Sequence, residues 1–350
     1  MAKVTIADVA KKANVSLSTA SYALNNKSGV GEKTRERILQ LAKEMNYQPN
    51  AIASSLKRSS FNILISIPSL TKGFEYFFSD VDKGIEAYVK QLGEYKIKLF
   101  KAPYEPMVQG DQVRAIKEVL DETNIDGIIT NGQSDDVAHS FLNELFKAGT
   151  PIVYVGGNNE EQNRLAFVAP HYKISGKTIA ELISFNLKED DNILILCGNR
   201  SEISHYKVVE GFDEYLKQND ISNKVIKLYA DNDEDRDIKA VIERENITVC
   251  CAVGARVTNR LGSALSSLDK HLYAIGSDLF AKSRSYLEEG VFDVIIQKNP
   301  YKASYFATQI LCNKIIKNQE PKKDEYYTSS EIIIRANLPL YTEGIDKIIF

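Results

Sequence analysis

Long apolar runs are missing from this chain of 350 residues. No stretch reaches the roughly 18 apolar residues that a membrane span requires, and the N-terminal "MAKVTIADVAKKANV" carries charges where an export signal needs an unbroken apolar centre. The expectation is a cytoplasmic protein without a membrane partner. Cysteine is scarce, and Cys197, Cys250, Cys251 and Cys312 have neither the paired spacing of a zinc site nor a disulfide pattern. They read as reduced, buried thiols. The histidines His139, His171, His205 and His271 stand singly, at no metal-motif spacing. No serine sits in a nucleophile elbow, and no GxGxxG follows the first strand. "SGKT" at Ser175 to Thr178 fails as a phosphate loop, because the glycine required five residues before Gly176 is His171. Neither catalysis, cofactor nor metal is expected.

The length is enough for two or three domains. The net charge of −3 conceals an asymmetry. Ten lysines and arginines face four acidic residues within residues 1–60, a surplus of +6, which leaves −9 on the remaining 290 residues. A basic head on an acidic body suggests a polyanion partner for the head alone.

Within that head, Thr5 followed three residues later by Asp8 is a capping-box start, and Ile6, Val9, Ala10 and Ala13 recur at helical spacing. Asn14 can end this helix and Ser16 can cap a second one, Leu17 to Asn25, with Ala20, Ala23 and Leu24 inward. A third helix from about Glu32 carries the stripe Ile38, Leu41, Ala42 and Met45. Three short helices around one small core fit a helix-turn-helix domain. The outer face of the second helix holds Ser18, Thr19, Ser21, Tyr22 and Asn25. Small hydroxyl residues, Ser16 included, permit close approach to phosphates and can donate to them, while Leu17, Ser18 and Tyr22 project furthest toward base edges.

"VTIADVAKKANVSLSTASYALN" and "TRERILQLAKEMNYQPNAIASSLK" resemble the LacI/GalR family of bacterial repressors, and the distribution of later strands extends the resemblance along the whole chain. It implies a head over residues 1–48 and a hinge helix over 49–60 that folds on double-stranded operator DNA. In the hinge, Asn50 belongs to the "YxPN" segment, Ala53 to the contact between paired hinge helices, and Leu56 to a minor-groove wedge. Thr5 joins the DNA-binding set. Here Tyr22 stands where the family often has arginine, Ser54 replaces a common hinge arginine, and Gly31 replaces the usual serine or threonine cap. The resemblance further implies a homodimer, with pairing into a tetramer left open.

From Phe61 onward strands and helices alternate. "NILISIP", "YKIKLF", "DGIIT" and "PIVYVGG" form one series, and "DNILILCG", "NKVIKLYA", "TVCCAVGA" and "LYAIGSD" a second. The expected fold is an all-α helix-turn-helix head and hinge followed by an α/β core of two doubly wound parallel-sheet lobes. The resemblance implies that this core is periplasmic binding protein-like, with three crossings that put the lobes at 61–164 plus 297–325 and 165–296 plus 326–350. A ligand then belongs at the carboxyl ends of the strands, between the lobes.

Sugars need polar partners for each buried hydroxyl and an aromatic ring for the apolar face. Phe74, Tyr76, Phe77 and Phe78 supply rings after the first strand. The resemblance assigns effector hydroxyls to Asp278 of "GSD" and a polar contact to Gln297 at the lobe crossing; as a helix N-cap, Asp278 would have a purely local role. The full candidate set is Phe77, Asn131, His171, His205, Lys207, Asp278 and Gln297. The family's usual arginine three residues before the "GF" glycine is Val208, and its aspartate before the "YKISGKT" helix is His171. His171, His205 and Lys207 would suit a phosphorylated sugar if they face the site, or are surface and capping residues. The expected function is a sugar-released repressor of a carbohydrate-utilisation operon. A corepressor- or partner-dependent regulator and, from another class, a solute-binding protein are the alternatives.

Overall fold

The structure is a computed structural model that describes residues 4–24, 28–45, 47, 60–71, 73–93, 95–106, 108–132, 135–157, 163–200, 202–229 and 237–342. Two compact units divide near residue 60, a head and a core.

Three helices form the head: α1 (Ile6–Lys12), α2 (Leu17–Leu24) and α3 (Glu32–Glu44). The Thr5–Asp8 capping box is present in both directions and starts α1. Asn14 takes a left-handed φ of 50°, which turns the chain, and Ser16 Oγ accepts the Thr19 N–H at 3.0 Å to start α2. Val9, Ala13, Ala23, Ile38 and Ala42 form the core of this unit. Ala20 and Ala23 are the buried residues of α2, whereas Leu24 is only half-buried. Arg35 donates from α3 to the carbonyls of Tyr22 and Ala23, where the last turn of α2 has no intrahelical partners.

The core contains two six-stranded sheets. The first comprises β1 (Phe61–Ser66), β2 (Ile97–Lys101), β3 (Gly127–Thr130), β4 (Ile152–Val155), β5 (Ala166–Pro170) and β11 (Glu325–Thr328), in the parallel order β11-β5-β4-β3-β1-β2. The second comprises β6 (Asn192–Cys197), β7 (Val225–Tyr229), β8 (Ile247–Ala252), β9 (Tyr273–Ser277), β10 (Val294–Gln297) and β12 (Glu331–Ile333), ordered β12-β10-β9-β8-β6-β7 with β12 antiparallel. Central strands such as β3 and β4 are buried throughout, as sheets covered on both faces require.

Between the strands run α4 (Glu75–Gln91), α5 (Asp111–Glu122), α6 (Asp136–Lys147), α7 (Tyr172–Ser184), α8 (Ile203–Gln218), α9 (Ile238–Arg244), α10 (Ala255–Leu265), α11 (Ala281–Glu288) and α12 (Pro300–Lys317), with α13 (Pro339–Thr342) after β12. Glycines set two close helix contacts. A Cβ on Gly176 of α7 would lie 1.9 Å from the Val208 carbonyl oxygen of α8, and one on Gly84 of α4 would lie 2.3 Å from that of Tyr301.

The lobe boundaries differ from the expected ones. "AFVAP" forms β5, which pairs with β4 in the first sheet, so that sheet continues past residue 164. Residues 326–328 also pair with β5, and Gln297 ends a strand of the second sheet. Chain order alone misassigned these short segments because hydrogen-bond partners, supplied by residues far along the chain, decide sheet membership. No helix among the described residues is long and apolar enough to cross a membrane. All four cysteines are free and buried, and burial pushes the Cys197 and Cys250 thiols up to about 12.

Candidate functional site

Two features can carry function, one in each unit. On the head, α2 exposes a face with Leu17 50% and Tyr22 45% accessible. Ser16 Oγ lies 2.8 Å from both Ser18 Oγ and Thr19 Oγ1, so the hydroxyls form a joined cluster at the start of the helix. Ser18 is exposed, and Thr19 and Ser21 are half-buried beside it. Thr5 is committed to its capping box, with its hydroxyl donating to Asp8 at 2.7 Å. Asn25, Asn50, Ala53 and Leu56 lie outside the described residues.

In the core, loops at the carboxyl ends of β3, β4, β6, β8, β9 and β10 meet the start of α4 around a cavity. That position suits a small-molecule site. The first lobe contributes Phe74, Phe77 and Phe78. Helix α4 begins at Glu75, so two of these rings stand on its first turn rather than in a loop. Asn131 donates to the Val155 carbonyl at 2.8 Å, and Tyr172 donates to the Gly156 carbonyl at 3.0 Å. The left-handed Gly156 (φ 87°) lets both approach.

The opposite wall carries the charges. His205 lies between two glycines: a Cβ on Gly198 would meet its ring at 2.0 Å and one on Gly254 at 2.7 Å. Its Nδ1 is 3.2 Å from the Asn199 N–H and 2.9 Å from Glu202 Oε2. One nitrogen cannot serve both, because it accepts from Asn199 when bare and donates to Glu202 when protonated. The ring's proton therefore selects which group it holds.

Asp278, immediately after β9, is 3% exposed and has a left-handed φ of 69°. Its Oδ2 pairs with Lys298 Nζ at 3.0 Å, while its Oδ1 is buried without a partner. Burial raises the carboxyl above its ordinary range, against the opposing pull of Lys298 and His205. Asp278 is not a helix cap, since the Phe280 N–H that opens α11 is satisfied by Ser283 Oγ at 2.9 Å.

Of the expected effector residues, Phe77, Asn131, His205 and Asp278 line the cavity. The other three do not. His171 caps α7, taking the Ile174 N–H on Nδ1, and packs against Tyr327 with ring centroids 4.9 Å apart. Lys207 is two residues beyond His205 on α8, which turns it to another face, where it pairs with Glu210 at 3.5 Å. Gln297 accepts the Leu279 N–H at 2.8 Å and so braces the turn that carries Asp278. Sequence reasoning missed Lys298, Glu202, Arg256 and Tyr172, all of which line the cavity. Arg256 lies over the Phe74 ring at 5.8 Å, and Gly73, left-handed at φ 88°, leaves room for its stem. Among the described residues no three metal-ligating side chains converge.

A helix-turn-helix head followed by a two-lobed α/β core with a cleft cavity defines the class. The description of the lacI family of bacterial regulatory proteins matches residues 5–50, and that of a periplasmic binding protein domain matches residues 66–319. The chain belongs to the periplasmic binding protein domain family, with a lacI-family helix-turn-helix domain as its head. It is 34% identical over 161 residues to the protein named "Probable HTH-type transcriptional repressor ExuR" of Bacillus subtilis (strain 168), covering 45% of each chain. It is 28% identical over 218 residues to catabolite control protein A of Priestia megaterium, covering 61% of each. These matches span less than two thirds of the relatives' length. In fold, the chain is similar to a solved ABC transporter solute binding protein from Burkholderia graminis C4D1M in complex with D-arabinose. The TM-score is 0.71 at 16% identity, over 81% of this chain and 98% of that one.

Proposed function

We propose that the chain is a transcriptional repressor of a carbohydrate-utilisation operon. It acts in the cytoplasm, binds a pseudo-palindromic operator as a dimer, and is released when a sugar or sugar derivative enters the core cavity. The observation that carries this reading is the presence, in one chain, of an exposed hydroxyl-rich second helix and a polar-lined cavity at strand ends. Ser16, Ser18, Thr19 and Ser21 contact phosphates, Leu17, Ser18 and Tyr22 face base edges, and the hinge residues Asn50, Ala53 and Leu56 complete the interface. In the cavity, Asp278 Oδ1 accepts from a ligand hydroxyl, Asn131 and His205 add polar contacts, and Phe77 covers an apolar face.

Control follows from linkage. A ligand that prefers the lobe arrangement in which hinge helices cannot pair weakens DNA binding by the ratio of its affinities for the two states, and by no more.

The test is thermal unfolding of the full chain with sugars and polyols, since a ligand at about 100 times its dissociation constant adds about 2.7 kcal/mol. A shift with at least one of them is expected, and no shift across the set contradicts the effector reading. Leu56→Ala should weaken operator binding and leave sugar binding unchanged; equal operator affinity removes the minor-groove wedge.

A further inference from the structure

The cavity wall built by the ends of β8, β9 and β10 carries an anion and a cation in contact. Lys298 is 4% exposed, and its Nζ donates to the Val253 carbonyl at 3.0 Å as well as pairing with Asp278 Oδ2 at 3.0 Å. An ammonium has three N–H donors and no acceptor, so one donor is left over. Asp278 Oδ1, on the same ion pair, is the acceptor left over. A buried pair with one donor and one acceptor unused is incomplete, because each lost its hydration and neither regained a hydrogen bond. Both residues line the cavity, so a ligand there can complete both at once.

The other charges of the wall oppose one another. Arg256 and Glu202 line the wall with opposite charges, and the His205 ring lies 2.9 Å from Glu202. The charge of Lys298 is matched by Asp278. Arg256 and Lys298 are offset one for one by Glu202 and Asp278, so the side chains of fixed charge leave no net positive charge for a phosphate or carboxylate. Of the three residues that the sequence offered for a phosphorylated sugar, His171 and Lys207 are not in the wall and only His205 is.

We propose that Lys298 is a specificity-determining contact which, together with Asp278 Oδ1, takes two neighbouring hydroxyls of an uncharged sugar or polyol. Lys298 donates to one hydroxyl oxygen and Asp278 accepts from the other. This rests on the reading of the cavity as an effector site and narrows its ligand class. An anionic sugar would bring a charge that the paired Lys298 cannot neutralise, and an apolar ligand would leave both groups unsatisfied.

The experiment is isothermal titration of the full chain with D-glucose, D-galactose, D-arabinose, myo-inositol and D-glucose 6-phosphate. Monodeoxy analogues of the tightest neutral binder follow, against wild type and Lys298→Met. Because a lone buried carboxylate can impair folding, the same comparison is made between Asp278→Asn and Asp278→Asn/Lys298→Met. A neutral compound should bind at least about tenfold tighter than the phosphate, as expected if no cation is left to match it. One deoxy position should lose about tenfold or more where Lys298 is present and under roughly threefold where it is methionine, the coupling expected of a charge-assisted hydrogen bond. A tighter phosphate, or deoxy losses of equal size with and without Lys298, overturns the inference while leaving the effector reading intact. Wild type that binds none of the neutral compounds overturns both.

Discussion

Gly176→Ala gives a prediction whose sign separates packing from propensity. In an exposed helix, alanine for glycine should stabilise by about 1 kcal/mol. Here the new Cβ would lie 1.9 Å from the Val208 carbonyl oxygen, 2.8 Å from the Val208 carbonyl carbon and 2.9 Å from the Phe212 nitrogen. All three are backbone atoms of α8, so no side-chain rotation relieves the overlap. Ordinary contact begins near 3.4 Å, so α7 and α8 must separate locally by about 1.5 Å. That opens the seam in which Ile179, Ile183, Val208 and Phe212 are buried. Overpacking of this kind costs about 1–3 kcal/mol, occasionally more, and the rigid backbone contact puts this site at the upper end. After the propensity gain, a net loss of about 2 kcal/mol is expected, or a fall of roughly 3–6 °C in Tm. Thermal unfolding of the full chain followed by circular dichroism reads it directly. Sugar affinity should fall as well, since α7 begins with Tyr172 and α8 carries His205 into the cavity. A variant as stable as wild type, or more so, refutes the close-packing argument.

The buried ion pair predicts an asymmetry between single and double replacements. Lys298→Met should destabilise by about 3–5 kcal/mol, whereas Asp278→Asn/Lys298→Met should be close to wild type or above it, and urea titration distinguishes the two. The Asp278 carboxyl is already held above 3.8 by burial, and loss of Lys298 raises it further. Its stabilising share is therefore complete below that ordinary value and lost as pH rises through the raised one, so the deficit of Lys298→Met should widen as pH rises above 3.8. His205 and Tyr172 face the same carboxyl and are left unchanged; a constant deficit contradicts the assignment. Tyr76 of the first lobe stacks on Phe280 of the second with centroids 4.4 Å apart, so Phe280→Ala should remove about 0.5–1.5 kcal/mol of contact between lobes. Sugar release in stopped flow should then be several-fold faster, and an unchanged rate would show that the stack does not hold the cleft.

Much of the fold was legible because local rules decided it. The Thr5 capping box, the Asn14 turn, the Ser16 cap and the eight quoted strand runs each depend on residues within a few positions. β5 was missed because "AFVAP" is short, ends in proline and is fixed only by partners on β4 and β11. The cavity was half legible for the same reason. Asp278 and Asn131 follow strands whose ends could be read, but one step of register at "IIQKNPY" turned Gln297 onto the backbone and Lys298 into the wall. His171 carried two readings in the sequence, a ligand contact and a cap, and the structure gives it the cap.

The proposed function is a head that reads DNA under the control of a cavity that reads a small molecule. The measurement that tests it most directly is selection of duplexes from a random pool by the full chain, with and without the sugar that gives the largest thermal shift. Enrichment of a site with two-fold related halves, lost when the sugar is added, is the predicted result. No enriched site, or enrichment that the sugar leaves unchanged, would contradict it.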